Sequence, residues 1–195
     1  FQGSRATEKQ NAAEFAFDPA TIDAVVLSHA HLDHCGRLPK LVKEGFTGKL
    51  FLTKASFDLL GLMLRDAVHL HLRDIEWENK RRQRAGKELL EPLYDLDDVE
   101  ALLKLRQPLS YNQEQEIVSG TRLMFYEAGH ILGSSIVKLC IAENHGEKVL
   151  VFSGDLGNPS SALLRDPAIL TEADVLLLES TYGDRDHKPL ENTLH

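Results

Sequence analysis

The feature that most constrains this chain is the passage from an apolar run, Ile22-Asp23-Ala24-Val25-Val26-Leu27, into Ser28-His29-Ala30-His31-Leu32-Asp33-His34-Cys35-Gly36. The run reads as a buried strand. It stops at a cluster in which three histidines and an aspartate fall within six residues, in the pattern His-x-His-x-Asp-His. A strand that brings several imidazoles and a carboxylate to one point at a sheet edge offers the ligand set of a borderline metal such as zinc. A lone histidine here would read as a surface or core residue; four potential ligands at this spacing read as a metal site. Cys35 reads as a small residue packed beside that site.

Later in the chain three more apolar strands end in residues of the same kind. The strand to Tyr126 runs into Glu127-Ala128-Gly129-His130, the strand to Phe152 into Ser153-Gly154-Asp155-Leu156-Gly157, and the strand to Leu178 into Glu179-Ser180-Thr181-Tyr182-Gly183. Glycines flank each end and let backbones approach closely. One Gly-His or Gly-Asp alone would be a turn. Together with the first cluster they make the inventory of a two-metal site: His29, His31 and His130 around one ion, Asp33 and His34 around the other, and Asp155 bridging. Two ions a few ångströms apart activate a shared water and clamp an in-line displacement at phosphorus or carbonyl, which is a hydrolase design.

The remaining elements make the class α/β. Residues 37–44 read as a short helix closed by Gly45, and residues 49–53 as a strand. A long helical pattern over residues 56–84 carries Leu59, Leu62, Met63, Val68, Leu70 and Leu72. His69 and His71 are two apart on that helix and therefore face different directions. A helix at residues 96–105 starts from Asp95 or Asp97 as N-cap. Strands follow at 116–118, 122–126, 135–140, 148–152 and 174–178, with Asn144-His145-Gly146 as a hairpin turn.

Composition narrows the partners. At 195 residues and 43% hydrophobic content the chain supports one core. Its net charge of −8 provides no global positive field, so a polyanion must be met by metal ions or a local patch. The one basic run, Lys80-Arg81-Arg82-Gln83-Arg84, reads first as a solvated helix end and second as a phosphate contact. Two cysteines far apart exclude a disulfide scaffold and fit the cytoplasm better than secretion. No apolar run approaches the ~20 residues that cross a bilayer, so no membrane partner is expected.

His29-Ala30-His31-Leu32-Asp33-His34, with His130 and Asp155 following in order, resembles the metallo-β-lactamase fold, an αββα sandwich with a dinuclear zinc site at one edge. The segments 128–134 and 152–157 strengthen the likeness. Glu179-Ser180-Thr181-Tyr182-Gly183 is similar to the acidic motif that opens the β-CASP insertion of RNA-processing nucleases, a group that includes the pre-mRNA 3′-end endonuclease and bacterial RNA-processing exonucleases. The resemblance implies a partial metallo-β-lactamase domain over residues 1–179 and the start of a β-CASP insertion over 180–195. It also implies two zinc ions, a single-stranded RNA substrate, and a homo-oligomer or RNA-processing complex as the assembly. Catalytic work falls to Asp33 and Asp155, and Glu179 becomes the carboxylate that orients a histidine near the leaving oxygen.

Two expectations concern the ends of the chain. Phe1-Gln2-Gly3-Ser4 reads either as a tag remnant or as native sequence, since the family carries a Phe-Gln-Gly at this point. The family also has earlier strands, a β-CASP domain and a late histidine that completes the second zinc site. The chain is therefore expected to be an internal stretch of a longer enzyme, weak or inactive on RNA by itself. The rival activity is hydrolysis of a small thioester, lactone or lactam, which would use the same ligands. A non-catalytic scaffolding role would show degenerate ligands, and here they are intact.

Overall fold

The computed structural model describes residues 10–159, 161–181 and 183–184. Phe1-Gln2-Gly3-Ser4, Tyr182 and residues 185–195, which hold His187 and most of the stretch assigned to an insertion, lie outside the described residues.

Two sheets stack face to face. The first is parallel, in the order β1 (Ala24–Val26), β2 (Lys49–Thr53), β3 (Arg106–Leu109). The second, in chain order, runs β4 (Gln115–Val118), β5 (Thr121–Glu127), β6 (Ser135–Glu143), β7 (Gly146–Phe152), β8 (Val175–Leu177). Strands β4 to β7 form an antiparallel meander, and β8 joins β7 in parallel. The two-residue period of a strand explains the layering. On β2, Leu50 and Leu52 point to the helices, where they pack with Leu60, Leu64, Val99 and Leu102. Phe51, between them, points to the other sheet and packs with Leu123, Phe125 and Val137.

The helices are α1 (Leu32–Cys35), α2 (Leu38–Lys43), α3 (Lys54–Arg84) and α4 (Leu96–Lys104). Thr53 caps α3 by accepting from the Ser56 N–H, and Asp95 caps α4 in a reciprocal capping box with Asp98. The outer face of the five-stranded sheet, at Ala128, Ile136 and Val151, is packed by Leu156, Ala168 and Leu170 from the segment between β7 and β8. Among the described residues, then, the helical layer covers the parallel sheet, and irregular chain covers the other.

Several boundaries differ from expectation. The first strand is shorter than residues 22–27, but the Leu27 N–H still donates to the Phe51 carbonyl, so the chain stays in the sheet up to the histidines. The cluster itself contains the single turn α1. Strand β3 is an addition to the expected elements, because Pro108 lies inside it; a proline is tolerated there since β3 is at the sheet edge. On α3 the buried stripe is Ser56, Leu60, Leu64 and Val68, at intervals of four. Leu62 and Leu70, both part of the apolar pattern, are exposed. The apolar spacing marks the helix, but of the residues that carry it Leu59, Val68 and Leu72 meet the core while Leu62 and Leu70 do not.

Candidate metal centre

The centre is assembled from loops that follow β1, β5 and β7. His29 is wholly buried three residues beyond β1. His31 sits at the N-cap of α1, whose turn carries Asp33 and His34. His130 follows β5, and Asp155 follows β7. Folding brings side chains 99 residues apart in sequence together: His31 Nδ1 lies 3.1 Å from both His29 Nε2 and His130 Nε2. Asp155 Oδ2 is 3.6 Å from His29 Nε2 and 3.5 Å from His130 Nε2. Ligand atoms of His29, His31, His130 and Asp155 all lie within 4.8 Å of one another.

The other oxygen of Asp155 faces a second group. Its Oδ1 is 3.2 Å from His34 Nε2, which is in turn 3.7 Å from Asp33 Oδ2. Asp155 thus turns one oxygen to each group, and the His29 and His34 rings, with centroids 4.1 Å apart, bring the two groups into contact. Glu179 stands apart from them. Its Oε1 accepts the Leu156 N–H at 2.7 Å, and its own N–H donates to Ser153 Oγ at 3.0 Å, so it braces the Asp155 loop from behind.

The protonation chemistry suits a cation. Burial, reinforced by the charges of His34, His31 and His130, lowers the His29 pKa to about 3. Burial and then His130 also lower His31, against the pull of Asp33 and Asp155. Neutral imidazoles have one ring proton each. With Nδ1–H of His29 directed to Ser28 Oγ, 3.1 Å away, its Nε2 presents a lone pair to the cluster. Three ring nitrogens and a carboxylate then converge with too few protons to satisfy one another, and a divalent ion resolves that arrangement. Cys35 is no part of it: the thiol is buried, donates to the Ala30 carbonyl, and is pushed up to about 12 by burial, then Asp33.

A shell of hydroxyls holds these loops, and much of it has no signature in the sequence. Ser134 Oγ accepts from the N–H groups of His130 and Ile131. Thr53 and Ser56, at the start of α3, both donate to the Gly133 carbonyl. Only the proximity of Ser28 and Ser134 to the histidines hints at this; Thr53 and Ser56 come from 77 to 80 residues away with no local signal. Glycine is required at the closest approach. A Cβ on Gly157 would lie 1.7 Å from the Gly129 carbonyl oxygen, so the Asp155 and His130 loops meet backbone to backbone.

Comparison with known proteins identifies the family. Residues 2–190 match the model of the metallo-beta-lactamase superfamily. The chain belongs to that superfamily. Among metallo-β-lactamase relatives it is 40% identical over 194 residues to Ribonuclease TTHA0252 of Thermus thermophilus, covering all of this chain and 39% of that protein. It is 34% identical over 178 residues to Transcription termination factor FttA of Methanocaldococcus jannaschii, and 35% over 179 residues to an RNase J-like protein of the same organism. Those two matches cover 90% and 91% of this chain but 25% and 36% of the relatives. The chain thus spans between a quarter and two-fifths of the length of these curated relatives. Among the described residues, no helix is long and apolar enough to cross a membrane.

Proposed function

We propose that this protein is a zinc-dependent ribonuclease of the β-CASP type, hydrolysing phosphodiester bonds of single-stranded RNA. One observation carries the reading: the carboxylate of Asp155 lies between a His29–His31–His130 group and an Asp33–His34 group. Donors so placed would suit a pair of ions, and the relatives of the chain include a ribonuclease.

In this reading His29, His31 and His130 would hold one ion and Asp33 and His34 the other, with Asp155 offering an oxygen to each. When bound, the ion pair lowers the pKa of a shared water and offsets charge developing on the phosphate. The chain's own part is positional. Asp33, whose side chain is 47% exposed, is the carboxylate open to the substrate side, and it accepts a hydrogen from the attacking water. His29 is held by burial and by the contact of its Nδ1 with Ser28 Oγ, which leaves Nε2 facing the cluster. Glu179 keeps the Asp155 loop in place; burial raises its pKa, but the Leu156 N–H and Thr181 outweigh this and hold it below the usual range, so it is ionised at neutral pH.

The test is cleavage of end-labelled single-stranded RNA by the longer protein, with the natural continuations of this chain restored, with and without a zinc chelator. Cleavage abolished by the chelator and restored by zinc is expected, and Asp155→Ala should reduce it by about 10²–10³-fold while the fold is retained. Near-normal turnover in that variant would remove Asp155 from the mechanism. Metal binding without RNA cleavage would move the assignment to hydrolysis of a small thioester, lactone or lactam.

A further inference from the structure

A cavity of about 800 Å³ opens beside Asp33 and His34, within the roughly 300–1,000 Å³ typical of small-molecule sites. Beyond these two side chains it is bounded by Arg37, Leu70, His71 and Tyr94. Its walls are not needed by the metal centre. His71 and Tyr94 stack with ring centroids 5.8 Å apart and planes at 30°, and Tyr94 is buried, so the imidazole is the ring of the pair nearer to solvent.

The tautomer of His71 is set by its partner. The Leu93 N–H donates to His71 Nε2 at 3.1 Å, so Nε2 is a lone pair and Nδ1 bears the ring proton. Burial, followed by Lys43, lowers the pKa of His71 against the pull of Asp74, which keeps the ring neutral. The cavity therefore presents a neutral aromatic platform with a donor at its edge. Next to it Leu70, 44% exposed, provides apolar contact that solvent does not reward.

Arg37 supplies the charge. Its Nη2 donates to the Ala13 carbonyl at 2.8 Å and its guanidinium lies 4.4 Å over the Phe15 ring, which fixes the group. Its Nε is buried with no hydrogen-bond partner among the described residues. That buried Nε is out of reach of a ligand, but the side chain lines the cavity, so the remaining N–H groups of its guanidinium are the ones that can meet an anionic oxygen there.

A stacking platform, an edge donor, an apolar wall and a fixed cation, arrayed beside the metal centre, match one nucleotide. We propose that this cavity is a nucleotide subsite, with a base lying against His71 and Leu70 and a phosphate oxygen meeting Arg37. The inference rests on the ribonuclease reading and adds to it where the strand sits: the nucleotide next to the cleaved bond leaves the centre on the Asp33–His34 side.

The experiment monitors the His71 imidazole by NMR in the zinc-loaded protein, its signals assigned by their loss in His71→Gln. Adenosine 5′-monophosphate and ribose 5-phosphate are titrated separately. Base stacking favours the nucleotide, so it should shift His71 saturably at a concentration about tenfold lower than the sugar phosphate requires. Leu70→Ala, at an exposed position that the fold tolerates, should weaken the nucleotide severalfold and leave the sugar phosphate unchanged. Arg37→Gln should weaken both. Equal responses to the two ligands, or a His71 signal indifferent to the nucleotide, would overturn the subsite. The RNA cleavage assay separates the two readings. Cleavage with a silent His71 leaves the ribonuclease and removes the subsite, whereas a responding His71 without cleavage keeps the nucleotide site and removes the ribonuclease.

Discussion

Strands β1 and β8 are near twins in sequence and opposites in environment. Each is three residues of Ala, Val or Leu, each pairs in parallel with one neighbour, and each runs within three residues into a polar group near the metal centre, His29 or Glu179. Leu27, the residue that continues β1, is 4% exposed, because helices cover one face of the parallel sheet and the meander covers the other. Val175 to Leu178 are between 47% and 61% exposed: β8, like β1, is an outer strand with one strand neighbour, but none of the hydrophobic clusters among the described residues takes in a β8 side chain. The lesson is that a short apolar strand states its own conformation and nothing about its cover. It also divides the labour of the site: the buried strand positions a ligand whose charge state burial controls, and the exposed one positions a carboxylate that stays ionised.

The largest effect expected from this contrast is on stability. Leu27→Ala should cost about 2–5 kcal/mol by chemical denaturation, the range for deleting a buried leucine side chain. A cost under about 1 kcal/mol would mean that the β1 end is no better packed than β8.

The next test uses acid. In protein stripped of metal, the unfolded chain binds a proton at His29 below its ordinary pKa of 6.5, whereas the folded chain does so only near 3. Stability should therefore fall as pH drops through that window, by on the order of a few kcal/mol. Glu179, lowered from 4.5, adds its own loss only below that pH. His29→Gln should reduce the loss that begins near pH 6.5, leaving the parts due to His31 and His71, whose pKa values burial also lowers, and keep the one that begins near 4.5. A profile unchanged by His29→Gln would mean that burial does not control this ring.

A smaller effect is expected behind the ligands. Ser28→Ala removes the oxygen that orients His29 and should weaken zinc affinity by about 10–100-fold, measured by competition with a chromogenic chelator. Glu179→Gln, acting on the Asp155 loop from outside the donor cluster, should weaken it less. The reverse order would place Glu179 closer to the metal chemistry than its contacts indicate. The smallest effect is at β8, where Leu177→Ser should change stability by less than about 0.5 kcal/mol, since the side chain already meets water.

Much of this is legible in the sequence because the signals are local. The His-x-His-x-Asp-His pattern needs only six consecutive residues, strand periodicity needs only a few, and Asp95 and Asp97 mark the start of α4, where the structure selects Asp95 through a capping box with Asp98. Strand β3 escapes such a reading because Pro108 argues against a strand until the chain is known to lie at an edge. Leu62 and Leu70 mislead because the spacing of leucines marks a helix without saying which side the sheet is on. The same ambiguity conceals the wall of the cavity beside Arg37 and His71.

By itself, then, the sequence determined the α/β class, the inventory of donors and the strand ends from which they project, since each depends on neighbours along the chain. Only the tertiary structure decided that Asp155 turns one oxygen to each donor group, that His31 meets His130 across 99 residues, and that Thr53 and Ser56 hold the loop between His130 and β6. Such contacts depend on where two sheets come to rest against each other. That is set by side-chain packing summed over the whole core, and no short stretch of residues records it.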